Sequence, residues 1–222
     1  MPSPAQQHRQ RIAAAMSQTV ATDADHSAVV ASSAYALMLA KLAEDKRALK
    51  GIQSIAQKIE VKRQRLPEYA AWIDGVLQAD QPVQDDVFAT VMVWRIDTGD
   101  IDGALVMATH MLTHNLKLPE HYQRDLATLV VEEIAERAGH ADSGNVTASQ
   151  LLQVGQLTEG RDMPDEVRAK LHKAIGLALR DASPAQALDH LQRALQLNAR
   201  LGIKTEITKL QKQLALSTPV AT

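Results

Sequence analysis

The 222-residue sequence contains no cysteine. That excludes disulfides, thiolate zinc sites and cysteine nucleophiles together, and points to a chain folded in a reducing cytoplasm. Aromatic residues are almost as scarce: only six occur, Tyr35, Tyr69, Trp72, Phe88, Trp94 and Tyr122. A core must then be assembled from Ala, Val, Leu, Ile and Met, a palette suited to packed helices rather than to a sheet. No stretch approaches the ~20 apolar residues that span a bilayer, and the segment from Met1 to Ala15 lacks the apolar run of a secretion signal. The expectation is a protein that is neither secreted nor membrane-embedded. There is no GxxxxGK[ST] loop and no G-x-S-x-G elbow, which excludes a P-loop ATP motor and a nucleophile-elbow hydrolase.

What is present is 45% apolar residues and a formal net charge of only −2. The distribution of that charge says more than its sum. Residues 1–65 hold ten Lys/Arg against five Asp/Glu, residues 66–163 hold five against sixteen, and residues 164–222 hold nine against five. Basic ends attract a polyanion and the acidic middle opposes it. The same boundaries suggest three regions: a basic N-terminal one over 1–66, an acidic central one over 67–162, and a C-terminal one over 163–222.

Helical signals recur along the chain. Ser3, Pro4 and Gln6 have the spacing of a capping box with proline at the first helical position, predicting a helix to about Ser17. The polar segment 18–27 reads as a linker. From Tyr35 to Leu66, Leu42, Leu49 and Ala56 interleave with Ile52, Ile59 and Leu66 at heptad spacing. This predicts one long helix or a helical hairpin, with a break at Gly51 as the alternative and Pro67 ending the element. Further helices are expected near 67–79, 84–98 with Asp85 and Asp86 in the first turn, Asp100–Asn115, 119–138, 147–158, 164–181, 184–200 and 204–216. Gly99 is placed to supply a left-handed closing residue. Trp94–Leu112 (WRIDTGDIDGALVMATHML) and Gly176–Leu195 (GLALRDASPAQALDHLQRAL) share a helix, an Asp-containing turn and an Ala-Leu helix. That is the pattern of tetratricopeptide-type hairpins, although general packing of two Ala-rich helices explains it as well.

Three groups of residues could carry chemistry. Lys41, Lys46, Arg47, Lys50, Lys58, Lys62, Arg63 and Arg65, with Arg9 and Arg11 upstream, offer cations for phosphate contact. Glu44, Asp45 and Glu60 are interspersed among them, so a solvated mixed-charge face is the bland reading. With no aromatic residue between 36 and 68, duplex backbone contact is preferred over base stacking. His110 and His114 stand at helical spacing with His121 nearby, but Met111 occupies the position of the metalloprotease glutamate, and ordinary histidines are the preferred reading. Asp97, Asp100 and Asp102 are the densest carboxylates. A nuclease using Mg2+ would need such oxygens, whereas helix-end turn chemistry accounts for them without catalysis.

Four segments together resemble the small terminase subunit family of peduovirus-type tailed phages, also labelled the terminase endonuclease subunit. They are SPAQQHRQRIAAAM (3–16), YALMLAKLAEDKRALK (35–50), QDDVFATVMVWRIDTGDIDGAL (84–105), and MPDEVRAKLHKAIGLALRD with ALDHLQRALQLNARLGIKTEITKL (163–181 and 187–210). The resemblance implies a role in genome packaging. It implies a homo-oligomer, with a ring as one form it can take, that recognises double-stranded viral DNA in the cytoplasm of the bacterial host and recruits a separate large ATPase and nuclease subunit. No cofactor is expected for that role. The family label leaves open that the subunit is itself a metal-dependent endonuclease, and the two hairpins leave open a scaffold without DNA contact. The sequence ends LALSTPVAT, where the resemblance leads one to look for a longer Lys/Arg-rich tail.

Overall fold

A computed structural model describes residues 3–17, 26–139 and 146–217. Among the described residues the protein is all-α, with eleven α-helices, one 3-10 turn and no strand. The chain divides into two compact units, Met1–Leu126 and Ala127–Thr222. The first contains α1 (Pro4–Ser17), α2 (His26–Lys50), α3 (Ile55–Arg65), the 3-10 turn Leu66–Glu68, α4 (Ala70–Ala79), α5 (Asp86–Thr98) and α6 (Ile101–Thr113). The second is built from α7 (Leu126–Ala138), α8 (Ala148–Leu157), α9 (Asp165–Leu179), α10 (Pro184–Leu197) and α11 (Lys204–Ser217).

Most helix boundaries follow from the caps. Ser3 Oγ accepts from Gln6 N at 3.3 Å and Gln6 Oε1 accepts from Ser3 N at 2.7 Å, which completes the expected box. Thr147 and Gln150 form a second one at the start of α8. Gly99 ends α5 with φ 85°, and Asp100 begins α6 by accepting from Gly103 N at 3.1 Å.

Several sequence expectations are refined by the structure. The linker expected over 18–27 lies mostly outside the described residues, and its last two positions, His26 and Ser27, already belong to α2. From Tyr35 to Leu66 the expected alternative of a break at Gly51 holds, with two helices separated at 51–54 rather than one unbroken helix. Leu42 and Leu49 are buried, whereas Ala56 is exposed and Ile52, Ile59 and Leu66 are half-buried, so the apolar seam ends with α2. Asp85 is not in the first turn of α5 but caps it. Finally, the helix expected from 119 begins at Leu126, because Pro119 opens a turn closed by Tyr122 N donating to its carbonyl at 3.0 Å.

The scarce aromatics are all in the first unit, where they organise its core. Trp72 and Tyr69 are fully buried. Tyr35 stacks on Trp72 with ring centroids 5.9 Å apart, and Tyr69 meets Trp94 edge-on at 5.9 Å, geometries that suit the ring quadrupoles. Each buried polar tip has a partner: Trp72 Nε1 donates to Asp85 Oδ2 at 2.8 Å, and Tyr69 Oη donates to Asp45 Oδ2 at 2.7 Å. Burial pushes the Asp85 carboxyl up, against its hydrogen bonds from Phe88 N and Trp72.

The second unit packs aliphatic side chains, with Leu151, Leu171, Ile175 and Leu191 fully buried. At Gly176 an added Cβ would stand 2.6 Å from Leu191 Cγ, so glycine sets how closely α9 and α10 approach. Beside that contact His172 Nδ1 and His190 Nδ1 are 2.9 Å apart. Burial, with His190, Arg168 and Arg193 nearby, pushes His172 down to about 4. One neutral ring then donates to the other. Lys170 of α9 bridges Glu132 and Glu136 of α7, and these hydrogen bonds hold its ammonium above the ordinary lysine value.

Candidate nucleic-acid interface

The basic residues of α2 and α3 sort into two groups. Lys41 lies 2.9 Å from Asp45 Oδ2 and 2.8 Å from Glu68 Oε2, and its ammonium sits 4.8 Å from the Tyr69 ring centroid. Burial works to lower the Lys41 ammonium, but the hydrogen bonds to Glu68 and Asp45 hold it above its ordinary value. Arg65 reaches Asp45 Oδ1 at 3.4 Å and Glu68 Oε1 at 3.3 Å. Lys62 pairs with Asp97 of α5, and Arg63 pairs with Glu60 while donating to Thr98 O at 3.4 Å. Arg11 is 4.0 Å from Asp74. These five residues fasten the helices to one another.

The other five have no carboxylate within ion-pair distance among the described residues. Arg9, Arg47 and Lys50 are exposed, Lys58 is partly exposed, and Lys46 is half-buried with its ammonium held down by burial. Arg47 and Lys50 occupy the last turn of α2, and Lys58 the first turn of α3, so the 51–54 turn gathers three cations at one corner. Helix α3 carries four basic residues against one acidic residue and has no buried residue. An amphipathic helix serving a core would show an apolar stripe; here Ile55 is instead 75% exposed.

The carboxylates singled out from the sequence do not converge on one cation-holding group. Asp97 faces Lys62, and Asp100 caps α6 while pairing with Arg95 at 2.6 Å. Among the described residues the group with metal-holding geometry is Asp80, His110 and His114. Sequence reading paired the two histidines but missed Asp80. The carboxylate lies thirty-odd residues upstream at the C-cap of α4, and only the return of the chain through α5 and α6 brings it to them. His121 takes no part; its ring stacks near Tyr122, with centroids 4.3 Å apart.

Residues 39–166 match the profile of a family described as phage small terminase subunit. The chain belongs to that family. The small terminase resemblance also extends beyond the matched span. The chain is 45% identical over 218 residues to the terminase, endonuclease subunit of Escherichia phage P2, covering 96% of this chain and 86% of that protein. It is 26% identical over 192 residues to the probable terminase, endonuclease subunit of Haemophilus phage HP1, covering 79% and 68% respectively. No solved structure matches the chain. The role in genome packaging that the resemblance implied therefore stands for this small terminase subunit. Among the described residues, no helix is long and apolar enough to cross a membrane.

Proposed function

We propose that this small terminase subunit grips double-stranded viral DNA through the α2–α3 corner, with Arg47, Lys50 and Lys58 as its principal phosphate contacts and Arg9 and Lys46 in support. The observation carrying this reading is the α2–α3 corner, where Arg47, Lys50 and Lys58 have no carboxylate partner among the described residues and the helix α3 has no buried residue. Such a helix contributes little to a core and presents charge outward. Several copies in a homo-oligomer combine weak contacts through effective concentration. In this reading the basic region 1–66 handles DNA in the host cytoplasm, and the C-terminal region 163–222 serves assembly or docking of the large terminase subunit.

Each phosphate neutralised on duplex DNA contributes about −0.9 to the slope of log affinity against log salt. Replacing Arg47, Lys50 and Lys58 by glutamate is expected to flatten that slope by about 3 per protomer and to weaken duplex binding by more than tenfold at low salt. Fluorescence anisotropy with a labelled duplex measures both. None of the three holds a carboxylate partner, so helical content should be unchanged by circular dichroism. An unaltered affinity and salt slope would remove the reading.

The name of the P2 relative supports a second reading, in which the subunit itself cuts DNA with a divalent cation, although Asp97, Asp100 and Asp102 do not form one cation-holding group here. A nicking assay with purified protein and magnesium separates the two. Asp100→Asn is the informative variant, because asparagine caps a helix about as well as aspartate. It leaves α6 intact while removing a charged ligand. Magnesium-dependent nicking that vanishes in Asp100→Asn would replace the first reading.

A further inference from the structure

The C-terminal ends of α4 and α6 converge on a cluster that the packaging role does not use. Asp80 caps α4 with φ 47° and ψ 47°, a conformation that favours glycine. Its Oδ1 lies 2.8 Å from His114 Nε2 and 3.4 Å from His110 Nδ1. His114 is the C-cap of α6, one turn after His110, so the helix sets both imidazoles on one face. One donor atom from each of the three residues lies within 4.8 Å of the others. Donors bound at ~2.0 to 2.1 Å in a tetrahedral zinc centre stand ~3.3 Å apart, so shifts of side-chain size close the cluster on an ion.

Two further features favour a cation here. Both helices turn their C-termini toward the cluster, where the dipoles attract positive charge and disfavour a lone carboxylate. The His110 side chain is only 4% exposed, and its Nδ1 is farther from Asp80 than a good hydrogen bond allows.

We propose that Asp80, His110 and His114 form a site for a divalent transition metal of the zinc class, joining the ends of α4 and α6. Two imidazoles and one carboxylate select zinc or cobalt over magnesium. Asp80, whose side chain is 75% exposed, provides the entry path and leaves the fourth position to water.

The test uses the full chain without an affinity tag, stripped with chelator and titrated with zinc chloride. Both tryptophans lie in the first unit, so melting followed by their fluorescence reads the unit holding the site. Zinc at about 100 times its Kd is expected to raise Tm by about 5 to 10 °C, and cobalt to give one equivalent of visible absorption. Asp80→Gly removes the ligand while supplying the residue that the left-handed cap prefers, so the fold persists and the zinc shift disappears. His114→Gln is expected to lose the shift as well. His172→Gln, which alters the other imidazole pair, is expected to retain it. No zinc shift in the unaltered chain, a shift retained in Asp80→Gly, or one lost in His172→Gln overturns the proposal.

Discussion

Replacing Asp45 by alanine is expected to destabilise the first unit by about 3 kcal/mol, most of it from groups left behind without partners. Asp45 is 6% exposed, and it accepts from Tyr69 Oη at 2.7 Å, Lys41 Nζ at 2.9 Å and Arg65 Nε at 3.4 Å. It thereby joins α2, the end of α3 and the residue that opens α4. A buried hydroxyl stripped of its acceptor costs about 1–3 kcal/mol by itself. Lys41 and Arg65 retain Glu68 and are partly solvated, so their share is smaller. Asp45→Asn retains an acceptor and should cost about 1 kcal/mol, in the range of a single hydrogen bond. In a double-mutant cycle Tyr69→Phe should recover part of the alanine cost, because the orphaned hydroxyl is gone. Urea unfolding followed by tryptophan fluorescence measures all three. A loss below about 1 kcal/mol for Asp45→Ala would show a solvated pair rather than a buried anchor.

That network also bears on the proposed DNA contact. Since α3 has no buried residue, it is held largely by Lys62 on Asp97, Arg63 on Thr98 O, and Arg65 on Asp45 and Glu68. The more exposed of these pairs, Arg65 with Glu68, weakens with salt, whereas the shielded Lys62–Asp97 pair weakens less. Added salt therefore loosens the docking of α3 as well as its grip on phosphate, so a salt titration of DNA binding needs a parallel measurement of α3 itself. Charge reversals at Lys62 or Arg63 would confound the two effects, whereas Arg47, Lys50 and Lys58 separate them.

The helices were legible where local chemistry decides them. Ser3 with Gln6, Gly99 and Asp100 each act within one turn of chain, and each does what its residue type favours. Where a partner comes from far along the sequence, reading failed in a consistent way. Asp45 looked like an acid diluting a basic run, and its burial beneath Tyr69 depends on a contact 24 residues away. Asp97 looked like part of an acidic cluster, yet its partner Lys62 is 35 residues upstream. Asp85 caps α5 through the local Phe88 N, and its other oxygen accepts from Trp72 Nε1, 13 residues upstream. Composition revealed the class of fold and the excess of cations. It did not reveal which cations were already held, and that division is what narrows the candidate interface.

Gly75 is a position that neither composition nor periodicity marks, and Gly75→Ala is expected to undock α1 at a cost of about 3 kcal/mol, the upper end of the range for overpacking. An added Cβ would stand 2.2 Å from Arg11 O and 2.7 Å from Ala14 Cβ. The first is a helix backbone atom, so no rotamer relieves the clash and α1 must move as a body. Ala14 is its one fully buried residue among those described, and Arg11 meets Asp74 only at 4.0 Å. A 14-residue helix detached from its support is marginal, because isolated helices shorter than ~12–15 residues rarely persist in water. The loss should therefore be local. Hydrogen exchange in 4–17 should accelerate by about two orders of magnitude, while the tryptophan-monitored midpoint falls far less. Ala14→Gly in the same chain should restore only part of the protection, since the Arg11 carbonyl remains in place. If Arg9 contacts phosphate from a docked α1, the variant should also lower the DNA salt slope by about 1 per protomer. Unchanged exchange in α1 would mean that the two helices tolerate a wider separation than their present contact implies.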